Sequence, residues 1–446
     1  MQRRRSLRFL KPLAVNAVGM ICLALPKAHA HGVEAEQNVA QPTVAVEMLD
    51  ANATGMFEVG TKVTQSAKLT NTTSEPLTAA VVMQGHSVTQ AIPKPKSTKL
   101  ELGPNESATI EFEFALDKPG FMDVECIVHV DSIEEPFRAR RRVGCEPTKI
   151  SVPLTAQSDF DEFWREAINK LRDREWSAEV ESHASESEDV NTFEVTLKSH
   201  GNVTVRGWLE VPQAEGPHPA VLRVPGYGST MRPLGNVDDM IVFSFNPRGH
   251  GNSQDQVPRE PVDYWIRGLD SKDDYYYLGA YLDCLQAIEY LSRREDVDQE
   301  RIAVWGGSQG GGLAFATAAL DSRVDLCISD ITWLCDWVNY FELTDWPEMN
   351  SWVEDRESRG WKKTLTTLSY FDTMNLASRI QCPTVMSIGL QDPICPPTTS
   401  YATFNRIRGP REDWIYKESR HGLPASHYPR VWSWIRQKFD LAAEKR

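Results

Sequence analysis

The pattern of hydrophobic and polar residues changes near residue 150, which divides the chain into two regions. Between residues 31 and 150 apolar and polar residues alternate, as in Ile110-Glu111-Phe112-Glu113-Phe114. Alternation with a period of two is typical of strands that bury one face, and turn-forming clusters separate these runs. About seven short strands at this spacing predict a β-sandwich domain of the immunoglobulin-like kind.

After residue 150 the pattern is that of an α/β protein. Short apolar runs alternate with helical periodicity, which predicts a mainly parallel sheet with helices on both faces. The predicted strands cover 193–198, 203–211, 220–224, 240–245, 301–304, 326–329, 384–389 and 414–417. The predicted helices cover 158–172, 275–294, 313–320 and 425–444.

The first 30 residues have the pattern of a secretory signal peptide. Basic residues occupy the start, residues 13–25 are mostly apolar, and Ala28-His29-Ala30 is a small-x-small cleavage signal. The apolar run is too short to span a bilayer. We therefore predict an exported protein with a signal peptide at 1–30, a β-sandwich at 31–150 and an α/β catalytic domain at 151–446.

Composition limits the possible partners. The net charge of −14 becomes −20 without the signal peptide, because residues 1–30 carry six Lys or Arg residues and no Asp or Glu. A surface of this charge does not attract nucleic acid or anionic membranes. No other segment is long and apolar enough for membrane insertion. No Cys-x-x-Cys or Cys/His ligand spacing occurs, so we expect no metal site.

Two features of the first region lead to specific expectations. Cys126 and Cys145 alternate in step with apolar neighbours, and export permits disulfides. We predict a bridge between them, with two buried thiols as the alternative. Residues 138–142 contain four arginines, which we interpret as a solvated strand face, with an anionic-ligand patch as the alternative. No catalytic candidate lies at 31–150, so we expect residues 151–446 to hydrolyse small esters without it.

A glycine-rich stretch, Trp305-Gly306-Gly307-Ser308-Gln309-Gly310-Gly311-Gly312, lies between an apolar run and a run of good helix formers. A strand, a Gly-x-Ser-x-Gly turn and a helix form a nucleophile elbow, in which a sharp turn presents the serine at the top of a sheet. The glycines are needed because neighbouring backbone atoms leave no room for a Cβ. Ser308 is therefore the predicted nucleophile, and a structural glycine loop is the alternative.

A serine hydroxyl needs a histidine base, and the base needs an acid that fixes its tautomer. On a fold of this kind the acid and then the histidine follow the serine along the chain. Asp392 follows a late predicted strand, and we prefer it to Asp330, which lies too close along the chain to the serine. His421 follows the last predicted strand, whereas His427 is expected in the first turn of the terminal helix.

Ester cleavage also needs two hydrogen-bond donors for the oxyanion that develops on the carbonyl oxygen. One predicted donor is the backbone N–H of Gln309, directly after the nucleophile. The other is the backbone N–H of Tyr227, in the loop after the strand at 220–224. An ordinary Pro-Gly turn is the alternative interpretation of that loop.

Six short motifs occur together in one protein family. They lie at 159–164 (Asp-Phe-Asp-Glu-Phe-Trp), 246–253 (Asn-Pro-Arg-Gly-His-Gly-Asn-Ser), 263–268 (Asp-Tyr-Trp-Ile-Arg-Gly), 276–277 (Tyr-Tyr), 306–311 (Gly-Gly-Ser-Gln-Gly-Gly) and 395–397 (Cys-Pro-Pro). With these motifs in this order, residues 151–440 resemble the acetyl xylan esterase and cephalosporin C deacetylase family of α/β-hydrolases. The resemblance implies removal of acetyl groups from sugar hydroxyls without a cofactor, by an enzyme that often forms ring-like homo-oligomers.

The resemblance extends to the site residues. It places the family's triad at Ser308, Asp392 and His421, and its oxyanion donors at Tyr227 and Gln309. Three positions depart from the family, which has glutamine, glutamate and histidine where this chain has His250, Gly422 and Pro225. We interpret His250 as packing against Arg248 or the loop backbone; contact with the substrate is the alternative.

The sequence therefore predicts an exported serine esterase that acts on acetylated carbohydrate. A peptidase or thioesterase on the same fold is the nearest alternative, because some thioesterases also carry an N-terminal β-sandwich. A non-catalytic glycan-binding protein with a degenerate site is the alternative of another class, although the intact Ser, Asp and His set argues against it.

Overall fold

The computed structural model describes residues 43–441 except for 132, 186 and 259–261. The predicted signal peptide at 1–30 lies outside the described residues and stays a prediction. All described residues lie within one compact unit. None of the described helices combines the length and apolar character needed to cross a bilayer.

In the described part of the chain, eight strands precede residue 146 and form two sheets. The strands are β1 (Val44–Met48), β2 (Met56–Phe57), β3 (Thr61–Asn71), β4 (Leu77–His86), β5 (Lys96–Leu102), β6 (Ser107–Leu116), β7 (Gly120–Val130) and β8 (Phe137–Cys145). One sheet has the order β1-β3-β6 and the other β2-β8-β7-β4-β5. Buried side chains from both sheets form a single hydrophobic core.

The alternation in the sequence gives these strands their buried face. In β6, Ile110, Phe112 and Phe114 are buried, whereas the glutamates between them are exposed. Burying the apolar side chains of both sheets against each other is the main source of stability for such a layer pair. The prediction of one-sided strands in this region is confirmed.

The predicted disulfide is wrong, because Cys126 and Cys145 are both free and buried. Strands β7 and β8 are antiparallel neighbours, and their register places Cys126 opposite Ala139 and Cys145 opposite Gly120. The two cysteines thus lie six positions apart along the pair, about 20 Å at the usual rise per residue. A disulfide requires Cα atoms within about 7 Å, so these thiols cannot meet.

The rest of the chain forms the α/β layer. Its strands are β9 (Ala178–His183), β10 (Val190–Lys198), β11 (Thr204–Pro212), β12 (His218–Val224), β13 (Ile241–Asn246), β14 (Val297–Gly307), β15 (Leu326–Asp330), β16 (Thr384–Gly389) and β17 (Arg411–Tyr416). Its helices are α1 (Phe160–Arg172), α2 (Tyr276–Ser292), α3 (Gln309–Leu320), α4 (Trp337–Leu343), α5 (Pro347–Glu354), α6 (Trp361–Leu368), α7 (Thr373–Leu376), α8 (Pro397–Phe404) and α9 (His427–Lys438).

These strands form one nine-stranded sheet with the order β17-β16-β15-β14-β12-β13-β11-β10-β9. The pairs from β13 through β17 are parallel, and β11, β10 and β9 extend the sheet in antiparallel fashion. No strand from before residue 146 joins this sheet in the described structure, as expected. The prediction of a mainly parallel sheet is confirmed.

Helices cover both faces of the sheet. In β14, Ile302 and Val304 join the core that contains α2 and α3, whereas Ala303 and Trp305 join the core that contains α9. The terminal helix begins at His427, as predicted, and ends at Lys438 rather than near residue 444. The parallel strands bring their carboxyl ends to one edge, where α/β proteins bind ligands.

Candidate active site

Ser308 occupies a strained turn between β14 and α3. Its φ of 59° and ψ of −119° lie in a region that costs a non-glycine residue roughly 1–3 kcal/mol. A Cβ on Gly306 would lie 2.4 Å from the carbonyl of Gly310, and a Cβ on Gly310 would lie 2.5 Å from the carbonyl oxygen of Val224. Only glycines allow this close approach of backbone, which confirms the nucleophile elbow as a local structure.

Backbone hydrogen bonds hold the elbow in place. The N–H of Ser308 donates to the carbonyl oxygen of Asp330 at 2.8 Å. The carbonyl oxygen of Ser308 accepts from the N–H groups of Gly311 and Trp333, each at 3.0 Å. The side chain of Ser308 is not needed for these contacts, so its hydroxyl is free to face a base.

The structure brings Ser308, His421 and Asp392 together in one row. His421 Nε2 lies 3.1 Å from Ser308 Oγ, and His421 Nδ1 lies 2.8 Å from Asp392 Oδ2. Both distances are within hydrogen-bonding range. Ser308 and Asp392 are separated from His421 by 113 and 29 residues along the chain, so only the fold creates this arrangement.

The turn after β16 orients the carboxylate of Asp392. Its Oδ1 accepts hydrogen bonds from the backbone N–H groups of Ile394 at 2.8 Å and Cys395 at 3.0 Å, which leaves Oδ2 for His421. The Asp392 side chain is 1% exposed and that of His421 is 20% exposed. The acid is therefore buried behind the imidazole, and the imidazole itself reaches the surface.

The two rejected candidates, Asp330 and His427, lie next to each other instead. His427 Nε2 is 2.9 Å from Asp330 Oδ2, and the Trp305 indole donates to the same oxygen at 2.7 Å. His427 is fully buried, and its Nδ1 lies 3.0 Å from the Tyr416 hydroxyl. In the described contacts this pair serves the packing of α9 against the sheet.

The predicted oxyanion donors flank the nucleophile. Gln309 begins α3 directly after Ser308. On the other side, Tyr227 follows Gly226, and a Cβ built on Gly226 would lie 3.8 Å from the Cβ of Ser308. The phenol of Tyr227 donates to the Asp263 carboxylate, which holds the ring away from the serine.

Gln309 is also held through its side chain. Its Oε1 accepts from the Tyr277 hydroxyl at 2.8 Å, and its Nε2 lies 3.0 Å from His250 Nε2. Because the amide Nε2 can only donate, His250 Nε2 accepts and Nδ1 carries the proton, 3.3 Å from the Arg248 carbonyl. His250 is 1% exposed, and this burial agrees with the packing interpretation.

We expect His250→Gln to leave substrate preference unchanged. A glutamine can accept from Gln309 and donate to the loop, so the position of Gln309 should persist. The measurement is the ratio of kcat/KM for acetylated xylo-oligosaccharide to that for p-nitrophenyl acetate. A ratio within about threefold of the wild type supports packing; a larger change, with thermal stability intact, indicates substrate contact.

Asp392, Cys395 and His421 also offer three potential ligand atoms within 4.8 Å of one another. Asp392 and His421 already satisfy each other through a hydrogen bond. Burial, reinforced by the charge of Asp392, raises the pKa of the Cys395 thiol well above its usual value. A neutral thiol is a poor metal ligand, so these groups are arranged as an acid and base rather than as a metal centre.

Two residues that contact the turn of Asp392 were not predicted from the sequence. Arg142 donates to the carbonyl oxygen of Asp392 at 2.6 Å, and the side chain of Gln391 bonds the backbone of Arg142. The arginine run at 138–142 was visible in the sequence, but nothing in the sequence pointed to its partner 250 residues away.

Comparison with known proteins decides the family. The model of the family described as acetyl xylan esterase (AXE1) matches residues 152–438, well over half of the chain. The chain belongs to the acetyl xylan esterase family. It is therefore a carboxylic ester hydrolase of the α/β-hydrolase superfamily, as the resemblance implied.

Individual relatives agree with this assignment. The acetyl xylan esterase from Paenibacillus sp. R4 is 32% identical with a TM-score of 0.61, over 66% of this chain and 98% of that one. Acetyl xylan esterase 1 from Thermoanaerobacterium sp. JW/SL YS485 is 25% identical with a TM-score of 0.62 and the same coverage. Acetyl esterase Axe7A of Xylanibacter ruminicola is 28% identical over 69% of this chain and 72% of its own length.

Proposed function

We propose that this esterase removes acetyl groups from acetylated carbohydrate, acetylated xylan and its oligosaccharides in particular, with Ser308, His421 and Asp392 as its catalytic triad. The observation that carries the proposal is the continuous row from Ser308 Oγ through the imidazole to the buried Asp392 carboxylate. The names of the similar proteins, acetyl xylan esterase and acetyl esterase, support the substrate class.

In the first half-reaction, Ser308 Oγ attacks the acetyl carbonyl carbon while His421 Nε2 takes the hydroxyl proton. The carbonyl oxygen becomes an oxyanion in the tetrahedral intermediate. When the bond between the acetyl carbon and the sugar oxygen breaks, His421 gives the proton to that oxygen. The products are a free sugar hydroxyl and an acetyl ester on Ser308.

In the second half-reaction, water replaces the sugar. His421 takes a proton from the water, whose oxygen attacks the acetyl carbon on Ser308. Breakdown of the second tetrahedral intermediate returns the proton to Ser308 Oγ and releases acetate. Throughout, Asp392 accepts the hydrogen bond from Nδ1 and stabilises the imidazolium by its negative charge.

The backbone N–H groups of Gln309 and Tyr227 are the proposed donors to the oxyanion. Gln309 lies at the N-terminus of α3, where unpaired amides and the helix dipole favour negative charge. The hydrogen bonds that Tyr277 and His250 make with the Gln309 side chain keep its backbone in place. Such preorganised donors contribute about 10²–10³ in kcat each.

The remaining parts of the chain carry further proposals. The two sheets before residue 146 share one core, and we propose that they form an immunoglobulin-like sandwich beside the catalytic domain. The signal at 1–30 supports export. A mature protein whose sequence begins at His31 would support that proposal, and an intact N-terminus in the exporting host would contradict it. The homo-oligomer stays a prediction.

Hydrolysis of three substrate classes tests the proposed function. We expect acetylated xylo-oligosaccharides to be cleaved with a kcat/KM about 100-fold or more above that for acyl peptides and acyl thioesters, because recognition of sugar hydroxyls fails on the others. Preference for peptides or thioesters would favour the alternatives on this fold. Failure to turn over p-nitrophenyl acetate would favour a glycan-binding protein with a degenerate site.

A further inference from the structure

The arginine run at 138–142 contacts the loops of the active site. The side chains of Arg138 and Arg140 are 45% and 36% exposed, as expected for a solvated strand face. Those of Arg141 and Arg142 are only 13% and 3% exposed. The interpretation of the run as a solvated face is therefore wrong for Arg141 and Arg142, because both are covered by the catalytic domain.

Arg142 bonds the turn that carries the proposed catalytic acid. Its Nη1 donates to the main-chain oxygen of Asp392 at 2.6 Å. Its Nε and Nη2 donate to the two carboxylate oxygens of Asp123, each at 2.9 Å. The amide of Gln391 closes the contact, accepting from the Arg142 N–H at 2.8 Å and donating to the Arg142 carbonyl at 3.1 Å.

The neighbouring Arg141 binds the turn that leads to the proposed base. Its two Nη atoms donate to the two carboxylate oxygens of Glu418, each at 2.7 Å, three residues before His421. On the same turn, Lys417 Nζ lies 2.6 Å from an Asp50 carboxylate oxygen. Successive residues of one strand thus bind the two turns that hold the acid and the base.

We propose that Arg142 is a positioning residue for Asp392, so that the region before residue 150 forms part of the esterase active site. This inference rests on the proposed roles of Ser308, Asp392 and His421. Arg142 touches no reacting atom. It acts through the main chain of Asp392, whose carboxylate faces the imidazole.

The physical argument is geometric rather than electrostatic. Asp123 neutralises the Arg142 guanidinium by a bidentate pair, so little net charge reaches the acid. The Asp392 carboxylate is bonded to the amides of its own turn, and it therefore moves with that turn as one body. Release of the carbonyl lets the turn shift, and a misplacement of about 1 Å at a catalytic group costs about 10²-fold in rate.

This support comes from outside the family's own region. The family match begins at residue 152, whereas Arg142 and Asp123 lie on strands β8 and β7. The contact revises the expectation that residues 151–446 work equally well alone. The sheet is complete without the earlier region, but the turn of the proposed acid is not fully bonded without it.

The experiment exchanges the buried ion pair for an amide pair in the full-length protein, as Asp123→Asn with Arg142→Gln. This design leaves no unpaired buried charge. The matched control is Glu125→Gln with Arg138→Gln, an ion pair at 3.1 Å on the same two strands, remote from the catalytic turns in the described contacts. We expect kcat for p-nitrophenyl acetate to fall about 10–100-fold in the first variant, with KM within about threefold, and the control to match the wild type.

Two further readouts separate positioning from loss of folding. Thermal unfolding is measured for every variant, and Arg142→Lys, which can still donate to the Asp392 carbonyl, should recover part of kcat. In proton NMR, the far-downfield signal of the proton between His421 and Asp392 should shift or broaden in the amide-pair variant alone. An unchanged kcat and an unchanged downfield signal in a folded variant would overturn the inference.

If the amide-pair variant does not fold, Gln391→Ala gives the second test, because it removes the other link to Arg142 without changing a charge. A kcat unchanged in folded Gln391→Ala would likewise overturn the inference. Ser308→Ala in the same assay distinguishes the two proposals. If Ser308→Ala is inactive and the Arg142 variants are fully active, only the positioning role fails; if Ser308→Ala is active, the proposed function itself fails.

Discussion

Replacing Ser308 by alanine should lower kcat for acetate esters by roughly 10⁵–10⁶-fold, as loss of a nucleophilic serine does in other triads. The hydroxyl is the atom that would form the acetyl-enzyme, and no neighbouring group can take its place. The backbone bonds of the elbow do not involve this side chain, so the fold should persist. The measurement is steady-state release of p-nitrophenol, together with thermal unfolding.

Ser351→Ala is the matched control for that variant. Ser351 is an exposed residue of α5, a helix in which alanine is favourable, so activity and stability should stay at wild-type values. Retention of half of the activity in Ser308→Ala would show that the elbow does not supply the nucleophile. A large loss of thermal stability would instead show that the hydroxyl serves the fold.

The second large effect is expected for Asp392→Asn, with kcat about 10⁴-fold lower. The backbone N–H groups of Ile394 and Cys395 hold one side-chain oxygen, so the new NH₂ group would face His421. That group donates a hydrogen bond, and His421 Nδ1 would have to accept it. The proton would then sit on Nε2, which could no longer take the proton of Ser308.

Asp330→Asn is the informative comparison, because Asp330 is the other acid considered. Its carboxylate faces the Trp305 indole and His427, so its replacement should affect stability much more than kcat. Rates are measured at a temperature where both variants are folded. A loss of about 10⁴-fold in Asp330→Asn, with Asp392→Asn nearly active, would reverse the assignment of the acid.

The elbow could be predicted from the sequence because its signal is local. An apolar run, closely spaced glycines and helix formers around Ser308 state the strand, the turn and the helix within 20 residues. The acid and the base could be predicted because each follows a strand with a recognisable apolar run. The order of the strands in space was not needed, since parallel strands deliver their carboxyl ends to one edge.

Features that depend on register could not be predicted. Alternation indicates that Cys126 and Cys145 face the same core, but it does not say which residues of β7 and β8 lie opposite each other. The edge strand Ala178–His183 was missed because all of its residues are exposed, so the sequence carries no alternation there. Long-range polar contacts such as that of Arg142 with the turn of Asp392 leave no periodic signal at all.

The most direct test of the central claim is the release of acetate from acetylated xylo-oligosaccharides as a function of labelling by a fluorophosphonate, a reagent that phosphonylates activated serines. The labelled residue is located by peptide mass mapping. We predict that the unlabelled protein releases acetate, that the rate falls in proportion to the labelled fraction, and that the label is on Ser308. No acetate release by the unlabelled protein, or release that persists when Ser308 is fully labelled, would contradict the account.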